Sequence, residues 1–277
     1  MHWYVTDETN TQDDARFFLY GGLVLTDDQV IQVHSAISRI RLRYGYRAGD
    51  SLKFQTSSRP AHVSIDDARS AKDDVLRALA SVGARMIVNV THWGVGRGQG
   101  IEKTTQWAIN TVMWAYHRLL TAEQATGLVS VDRIEPAYGF AHLQDLFQTG
   151  LTFPTGRVSL TDRIVYFGMT SNNASHLSSA VDIALGGFRY CVNAAAGVGK
   201  GAVAQEIFPT LAKLLWSSTL NGEDYIGGYG LLMRPIDVRA ATYASECQEL
   251  RAALEGYANA SADERPEAGA SGPTPSP

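Results

Sequence analysis

The chain is poor in the features that would place it in a membrane or secreted class. It contains only two cysteines, Cys191 and Cys247, in 277 residues, and their separation matches no metal-ligand motif. This scarcity excludes a disulfide-stabilised secreted scaffold and favours a reduced cytosolic protein. No apolar run reaches the length of a membrane span, and the polar N-terminus does not resemble a secretory signal. We therefore expect a cytoplasmic protein that makes no contact with a membrane.

Positive charge is also scarce. Lys and Arg number 24 against 28 Asp and Glu, which gives a formal net charge of −4. This balance argues against a broadly basic surface for nucleic acid, although a local patch could still bind it. One basic patch is predicted between residues 39 and 59, where Arg43, Arg47 and Lys53 are the candidate contacts to substrate phosphates. The alternative is that these arginines form a solvated helix face.

Strand-like and helix-like segments alternate along the chain. Thr26 and Gln29 form the sequence pattern of a capping box at the start of a helix, and residues 84–93 have the composition of a buried strand. This alternation predicts an α/β fold, with a mixed sheet flanked by helices.

We expect residues 1–257 to form one domain that ends in a helical extension from about residue 203. Helices are predicted at 203–219 and 237–257, and a loop is predicted at 94–100. Residues 258–277 are rich in Pro, Ala, Ser and Gly and have no apolar periodicity, so they are predicted to be a disordered tail.

Four acidic residues interrupt apolar segments. Asp7 and Glu8 follow an apolar strand, Asp132 ends another, and Asp182 lies within an apolar helix. A carboxylate in such surroundings is costly unless it is paired or binds a cation. Carboxylates that converge from separate elements can hold divalent cations. We therefore predict that Asp7, Asp132 and Asp182 are metal ligands. Glu8 joins them only if the chain turns there, because adjacent strand residues point to opposite faces.

The order of these motifs resembles the domain-of-unknown-function family 3800. That family has an Asp-Glu-Ser-Gly motif after its first strand, paired glycines in its second, a Leu-Lys element, and a small-residue helix that carries an Asp. The matching segments here are Asp7 to Asn10, FFLYGGLVL (17–25), SLKF (51–54) and SSAVDIALGG (178–187). The resemblance covers residues 1–196. Asn10 replaces the usual Gly, and Asn also tolerates a left-handed backbone.

The resemblance implies a ribonuclease H-like fold and a metal-dependent nuclease that acts on RNA or DNA with Mg²⁺ or Mn²⁺. In that interpretation Asp7, Glu8, Asp132 and Asp182 are catalytic, and Lys53 holds the scissile phosphate as a point charge. Nucleic acid is then the expected partner.

Three alternatives remain open from the sequence. The acids could be structural, with Asp7 and Glu8 capping the following turn and Asp132 paired with Arg133 or Arg163. The chain could be a non-catalytic module that binds nucleic acid or protein on the same fold. It could also use a pair of carboxylates to hydrolyse another substrate.

Overall fold

The predicted α/β class is confirmed by a computed structural model, which describes residues 1–12, 15–132, 135–171, 174–220 and 223–259. A mixed sheet lies at the centre, and helices cover both of its faces. Within the described residues, no helix is both long and apolar enough to cross a membrane.

The strands in the described part of the chain are β1 (His2–Thr9), β2 (Phe17–Thr26), β3 (Arg85–His92), β4 (Gly127–Val131), β5 (Leu151–Phe153), β6 (Gly156–Val158), β7 (Ile164–Met169), β8 (Ser218–Leu220), β9 (Glu223–Tyr225) and β10 (Leu231–Met233). The helices are α1 (Asp27–Arg43), α2 (Ile65–Ser81), α3 (Trp93–Gly96), α4 (Gly100–Ala122), α5 (Pro136–Gln148), α6 (His176–Ala195), α7 (Gly201–Ala212) and α8 (Ala241–Asn259).

The central sheet has the strand order β10-β3-β2-β1-β4-β7, and β5–β6 and β8–β9 form separate hairpins. Strand β2 runs antiparallel to both of its neighbours, whereas β1–β4, β4–β7 and β3–β10 are parallel pairs. The carboxyl ends of β1, β3, β4, β7 and β10 therefore meet at one edge of the sheet. We call this the carboxyl edge.

Alternating side chains of the strands pack into two separate hydrophobic cores, one on each face of the sheet. Val5 and Leu23 pack on one face with residues of α1, α2, α6, α7 and α8. Tyr4 and Val24 pack on the other face, mainly against α4. A sheet that is apolar on both faces has to be covered on both sides, which explains the three-layer arrangement.

The helix start predicted at Thr26 is confirmed. Thr26 accepts a hydrogen bond from the Gln29 N–H while the Gln29 side chain accepts one from the Thr26 N–H, so the capping box is complete. Ser64 caps α2 in a similar way, by accepting from the Asp67 N–H. Each of these caps joins residues three positions apart, so the signal for the helix start is local in sequence.

The loop predicted at 94–100 is wrong, because α3 ends at Gly96, a 3₁₀ turn (Arg97–Gln99) follows it directly, and α4 begins at Gly100. Glycine-rich composition suggested a loop, but Gly96 is buried against Thr104 of α4, where a larger residue would not fit easily.

The C-terminal part also differs from the expected series of helices. The helix predicted at 203–219 ends at Ala212, three residues after an internal Pro209. Strand β10 is only three residues long, too short to show an alternating pattern, yet it extends the central sheet beside β3. Helix α8 continues to Asn259, two residues beyond the predicted boundary, and the remainder of the predicted tail lies outside the described residues.

The paired glycines of β2 let its backbone approach both neighbouring strands closely. A Cβ on Gly22 would overlap the carbonyl oxygen of Val5 in β1, and a Cβ on Gly21 would overlap the backbone of Val88 in β3. Both overlaps are with main-chain atoms, which cannot move aside without disturbing strand pairing.

We therefore expect Gly22→Ala to lower the free energy of unfolding by about 3 kcal/mol or more, since overpacking against a rigid core is destabilising. Gly256→Ala is the matched control, because Gly256 lies in α8 with no atom near the added Cβ. Helix propensity predicts a gain of about 0.5–1 kcal/mol for that control. Urea unfolding of both variants measures the difference, and equal stabilities would contradict the close-approach explanation.

Candidate functional site

The four predicted acids come together at the carboxyl edge. Asp7, Glu8, Asp132 and Asp182 line one cavity of about 290 Å³, and Lys53 lines it as well. The register of β1 against β4 explains why Asp7 and Asp132 lie close together. Thr6 pairs with Val131 in the parallel β1–β4 ladder, and the Asp132 N–H donates to the Thr6 carbonyl over 2.9 Å.

Glu8 reaches the cavity although the chain does not turn at that residue. It remains paired with Tyr20 of β2, and the left-handed residue is Asn10, with φ 57°. Strand β4 has already ended at Val131, so Asp7 and Glu8 extend beyond the parallel neighbour. Residues on both faces of β1 can therefore line a cavity that lies over the end of the sheet.

Burial and mutual repulsion favour the protonated forms of the β1 acids. Burial, with a further contribution from Asp132, raises the pKa of Asp7 to about 7. Burial, with contributions from Asp7 and Asp132, raises the pKa of Glu8 to about 8. The Glu8 N–H donates to Asp7 Oδ1 over 2.8 Å and only partly offsets this effect for Asp7. Near neutral pH, the pair is poised between charge states.

Asp182 is held by the segment that contains the Leu-Lys element. The Phe54 N–H donates to Asp182 Oδ2 over 2.7 Å, and Lys53 Nζ lies 3.9 Å from Asp182 Oδ1. Gly186, one helical turn after Asp182, allows this approach, because a Cβ there would collide with the Phe54 side chain. Burial raises the pKa of Asp182, and the Phe54 N–H and Lys53 oppose that rise.

Two carboxylate oxygens in this cavity have no hydrogen-bond partner among the described residues. They are Glu8 Oε2 and Asp132 Oδ1, and both are buried. Arg163, proposed from sequence as a partner of Asp132, makes no ion pair with it in the described part of the chain, and Arg133 lies outside that part. Unpartnered carboxyl oxygens of this kind, once deprotonated, are suited to a hard divalent cation such as Mg²⁺ or Mn²⁺.

The carboxylates of this cavity are therefore of the chemical type that binds a divalent cation. As the structure describes them, their side chains are not close enough together to hold one. Within the described residues, no group of three or more His, Cys, Asp or Glu side chains is placed to hold a metal ion. Simultaneous ligation would require these carboxylates to turn toward one another.

Sequence reasoning missed Arg189, which also lines the cavity. It follows Asp182 by seven residues, about two helical turns, and so lies on the same side of α6. Its Nη1 donates to Thr9 Oγ1 over 3.1 Å. The seven-residue spacing was visible in the sequence, and it placed a second cation beside the acids.

The other predicted basic contacts lie away from these acids. Arg43 forms an ion pair with Asp74 at 3.1 Å. Arg47 lines a separate cavity with His176, between the end of α1 and the start of α6. Of the three predicted substrate contacts, Lys53 alone lines the acidic cavity as the structure describes it.

Comparisons of the chain with protein-family models, curated proteins and solved structures found no match.

The raised pKa values predict how stability depends on pH without divalent cations. The unfolded chain releases the Asp7 and Glu8 protons near pH 4, whereas the folded protein holds them to about pH 7 and 8. The protonated forms of Asp7 and Glu8 therefore contribute to the free energy of unfolding in full at low pH, and this contribution is lost as the pH rises from about 4 to 8. We expect Asp7→Asn to raise the melting temperature at pH 8 and to flatten its decline between pH 5 and pH 8.

Asp66→Asn is the control for this experiment, because the Asp66 side chain is 92% exposed and its ion pair with Arg69 is local, three residues apart in α2. Its pH profile should follow that of the wild type in thermal melts recorded with a chelator. Parallel profiles for Asp7→Asn and the wild type would contradict the proposed repulsion.

Proposed function

We propose that this protein is a metal-dependent phosphodiester hydrolase, a nuclease that acts on RNA or DNA. The observation that carries the proposal is the acidic cavity, in which carboxylates from β1, α6 and the end of β4 meet beside Lys53 and Arg189. The unpartnered oxygens of Glu8 and Asp132 support a cation-binding role. The resemblance to the domain-of-unknown-function family 3800, and the ribonuclease H-like fold that it implies, support the same assignment.

The proposed roles follow from the position of each side chain. Asp7 lies near the end of a central strand and lines the cavity with Asp132 and Asp182, and the charges of both raise its pKa, so it is the candidate for the central metal ligand. Bound Mg²⁺ or Mn²⁺ would supply activation of water and stabilisation of negative charge on the phosphodiester oxygens. Lys53 and Arg189 would orient the anionic substrate within the cavity.

A non-catalytic module that binds nucleic acid or protein is the second candidate. It is favoured by the open arrangement of the acids, since no group of three among the described residues is placed to hold an ion. In that case the raised pKa values of Asp7 and Glu8 would reflect only burial and repulsion. The two functions differ in whether a cation binds and in whether a phosphodiester is cleaved.

Cleavage of single-stranded, double-stranded and hybrid substrates with Mn²⁺ tests the proposal directly. We expect Asp7→Asn to reduce cleavage to background, because the amide keeps the shape of the side chain but loses its charge. Mn²⁺ should also raise the melting temperature of the wild type at pH 8 and should have no effect on Asp7→Asn. Wild-type cleavage by Asp7→Asn would end the assignment.

Lys53→Ala should separate substrate contacts from metal ligation. We expect it to lower kcat/KM by about 100-fold, since a charge that stabilises a transition state is lost, while Mn²⁺ affinity stays within a few-fold of wild type. Lys103→Ala is the control, because Lys103 is exposed on α4 and outside the cavity. An equal loss of activity in both lysine variants would contradict a specific role for Lys53.

A further inference from the structure

A second cavity lies apart from the acids. It has a volume of about 730 Å³ and is bounded by β10, the segment that follows β10, and α8. Three arginines line it, namely Arg234, Arg239 and Arg251, and we call it the arginine cleft. Asp237 and Glu255 line it as well.

In the part of the chain that the structure describes, the three arginines of this cleft are not paired with carboxylates. No Asp or Glu within the described ranges forms an ion pair with Arg234, Arg239 or Arg251, and that includes Asp237 and Glu255. Arg234 is half-buried, and burial together with the charge of Arg118 lowers its pKa. A desolvated guanidinium beside a second one is costly unless an anion compensates it. Arg118 lies outside the lining of the cleft, and Arg239 and Arg251 are exposed, so this cost applies to Arg234. Against the three arginines the lining holds two carboxylates, Asp237 and Glu255, which leaves an excess of positive charge suited to an anion.

The arginine cleft and the acidic cavity are both associated with the carboxyl edge. Arg234 directly follows β10, and His92 ends β3 and lines the cleft. Asp7 lies near the end of β1, and the sheet order places β2 and β3 between β1 and β10. Three strand spacings separate β1 from β10, which corresponds to about 14 Å. An extended polymer of a few units would span this distance.

A series of contacts connects the arginine cleft with the end of β1, where the acidic cavity lies. The Trp93 indole N–H donates to the Asn10 carbonyl over 2.9 Å, and the Trp93 backbone N–H donates to the Arg16 carbonyl over 2.9 Å. Arg16 Nε lies 3.9 Å from Glu246, whose carboxylate hydrogen-bonds His92. These contacts hold the end of α8 that borders the cleft against the strand ends that carry the acids.

We propose that the arginine cleft binds the phosphodiester backbone of a single-stranded nucleic acid whose neighbouring segment enters the acidic cavity. This inference rests on the proposed nuclease function for the identity of its ligand. Guanidinium groups bind phosphate through paired N–H donors, and a phosphate would offset the excess positive charge of the cleft. A strand bound there would extend along the carboxyl edge past Arg16 and Arg189, which are both cationic.

The test is equilibrium binding of fluorescent 12-nucleotide single-stranded RNA and DNA in a chelator, where cleavage plays no part. The triple variant Arg234→Gln, Arg239→Gln, Arg251→Gln should weaken binding by about tenfold or more. It should also reduce the slope of log affinity against log salt by about 2, because each lost phosphate contact on a single strand contributes about 0.7. The double variant Arg239→Gln, Arg251→Gln leaves half-buried Arg234 in place and should show about two thirds of that change.

The matched control is the triple variant Arg69→Gln, Arg157→Gln, Lys213→Gln, which removes the same charge from exposed positions outside the cleft. Its salt slope should equal that of the wild type. Equal slopes for the cleft and control variants, or failure of the wild type to bind either oligonucleotide, would overturn the proposal. Slope changes confined to the cleft variants would support it even if the wild type cleaved nothing with Mn²⁺, a result that would reject only the nuclease assignment.

Discussion

The pairing of β1 on both sides is the constraint from which the candidate site follows. Strand β1 pairs antiparallel with β2 along its whole length and parallel with β4 as far as Thr6. Both edges of β1 are therefore satisfied up to Thr6, with Tyr4 in one core and Val5 in the other. Beyond Thr6 the parallel neighbour ends, and the next two side chains are carboxylates. Thr6 is therefore the last residue of β1 in the buried, fully paired part of the sheet, and Asp7 is the first to line the cavity.

Helix α6 is the second element on which the site depends, because it is both a core helix and the carrier of Asp182. Phe188 and Leu185 are buried in the same core as Val5, while Asp182 faces the cavity. The segment that contains Lys53 and Phe54 is held on this helix at Gly186. Packing energy of the apolar face thus holds a carboxylate and a lysine near each other, an arrangement that their own weak, part-exposed ion pair would not maintain.

Much of the fold and the acidic cluster could be predicted from the sequence, because those signals are local. Thr26 and Ser64 determine helix starts through their own hydrogen bonds, and acids that end apolar strands are visible as breaks in a pattern. The position of β10 could not be predicted. Its three residues are too few to show the alternation of a strand, and their place beside β3 depends on long-range pairing. The same limit applies to Arg234, because its place in the arginine cleft depends on that edge strand. Arg47 and Lys53 are predicted to belong to one basic patch because they are close in sequence, but the two residues line different cavities.

The formal charge of −4 exaggerates how strongly this protein repels an anion at the carboxyl edge. That count treats every Asp and Glu as ionised, yet Asp7 and Glu8 have pKa values of about 7 and 8. Near neutral pH these side chains hold part of their protons, so the cavity is less negative than its composition implies. Lys53 and Arg189 line the same cavity, and Arg16 lies beyond it toward the arginine cleft. Local charge at the edge, rather than net charge, therefore determines whether a phosphate chain can approach.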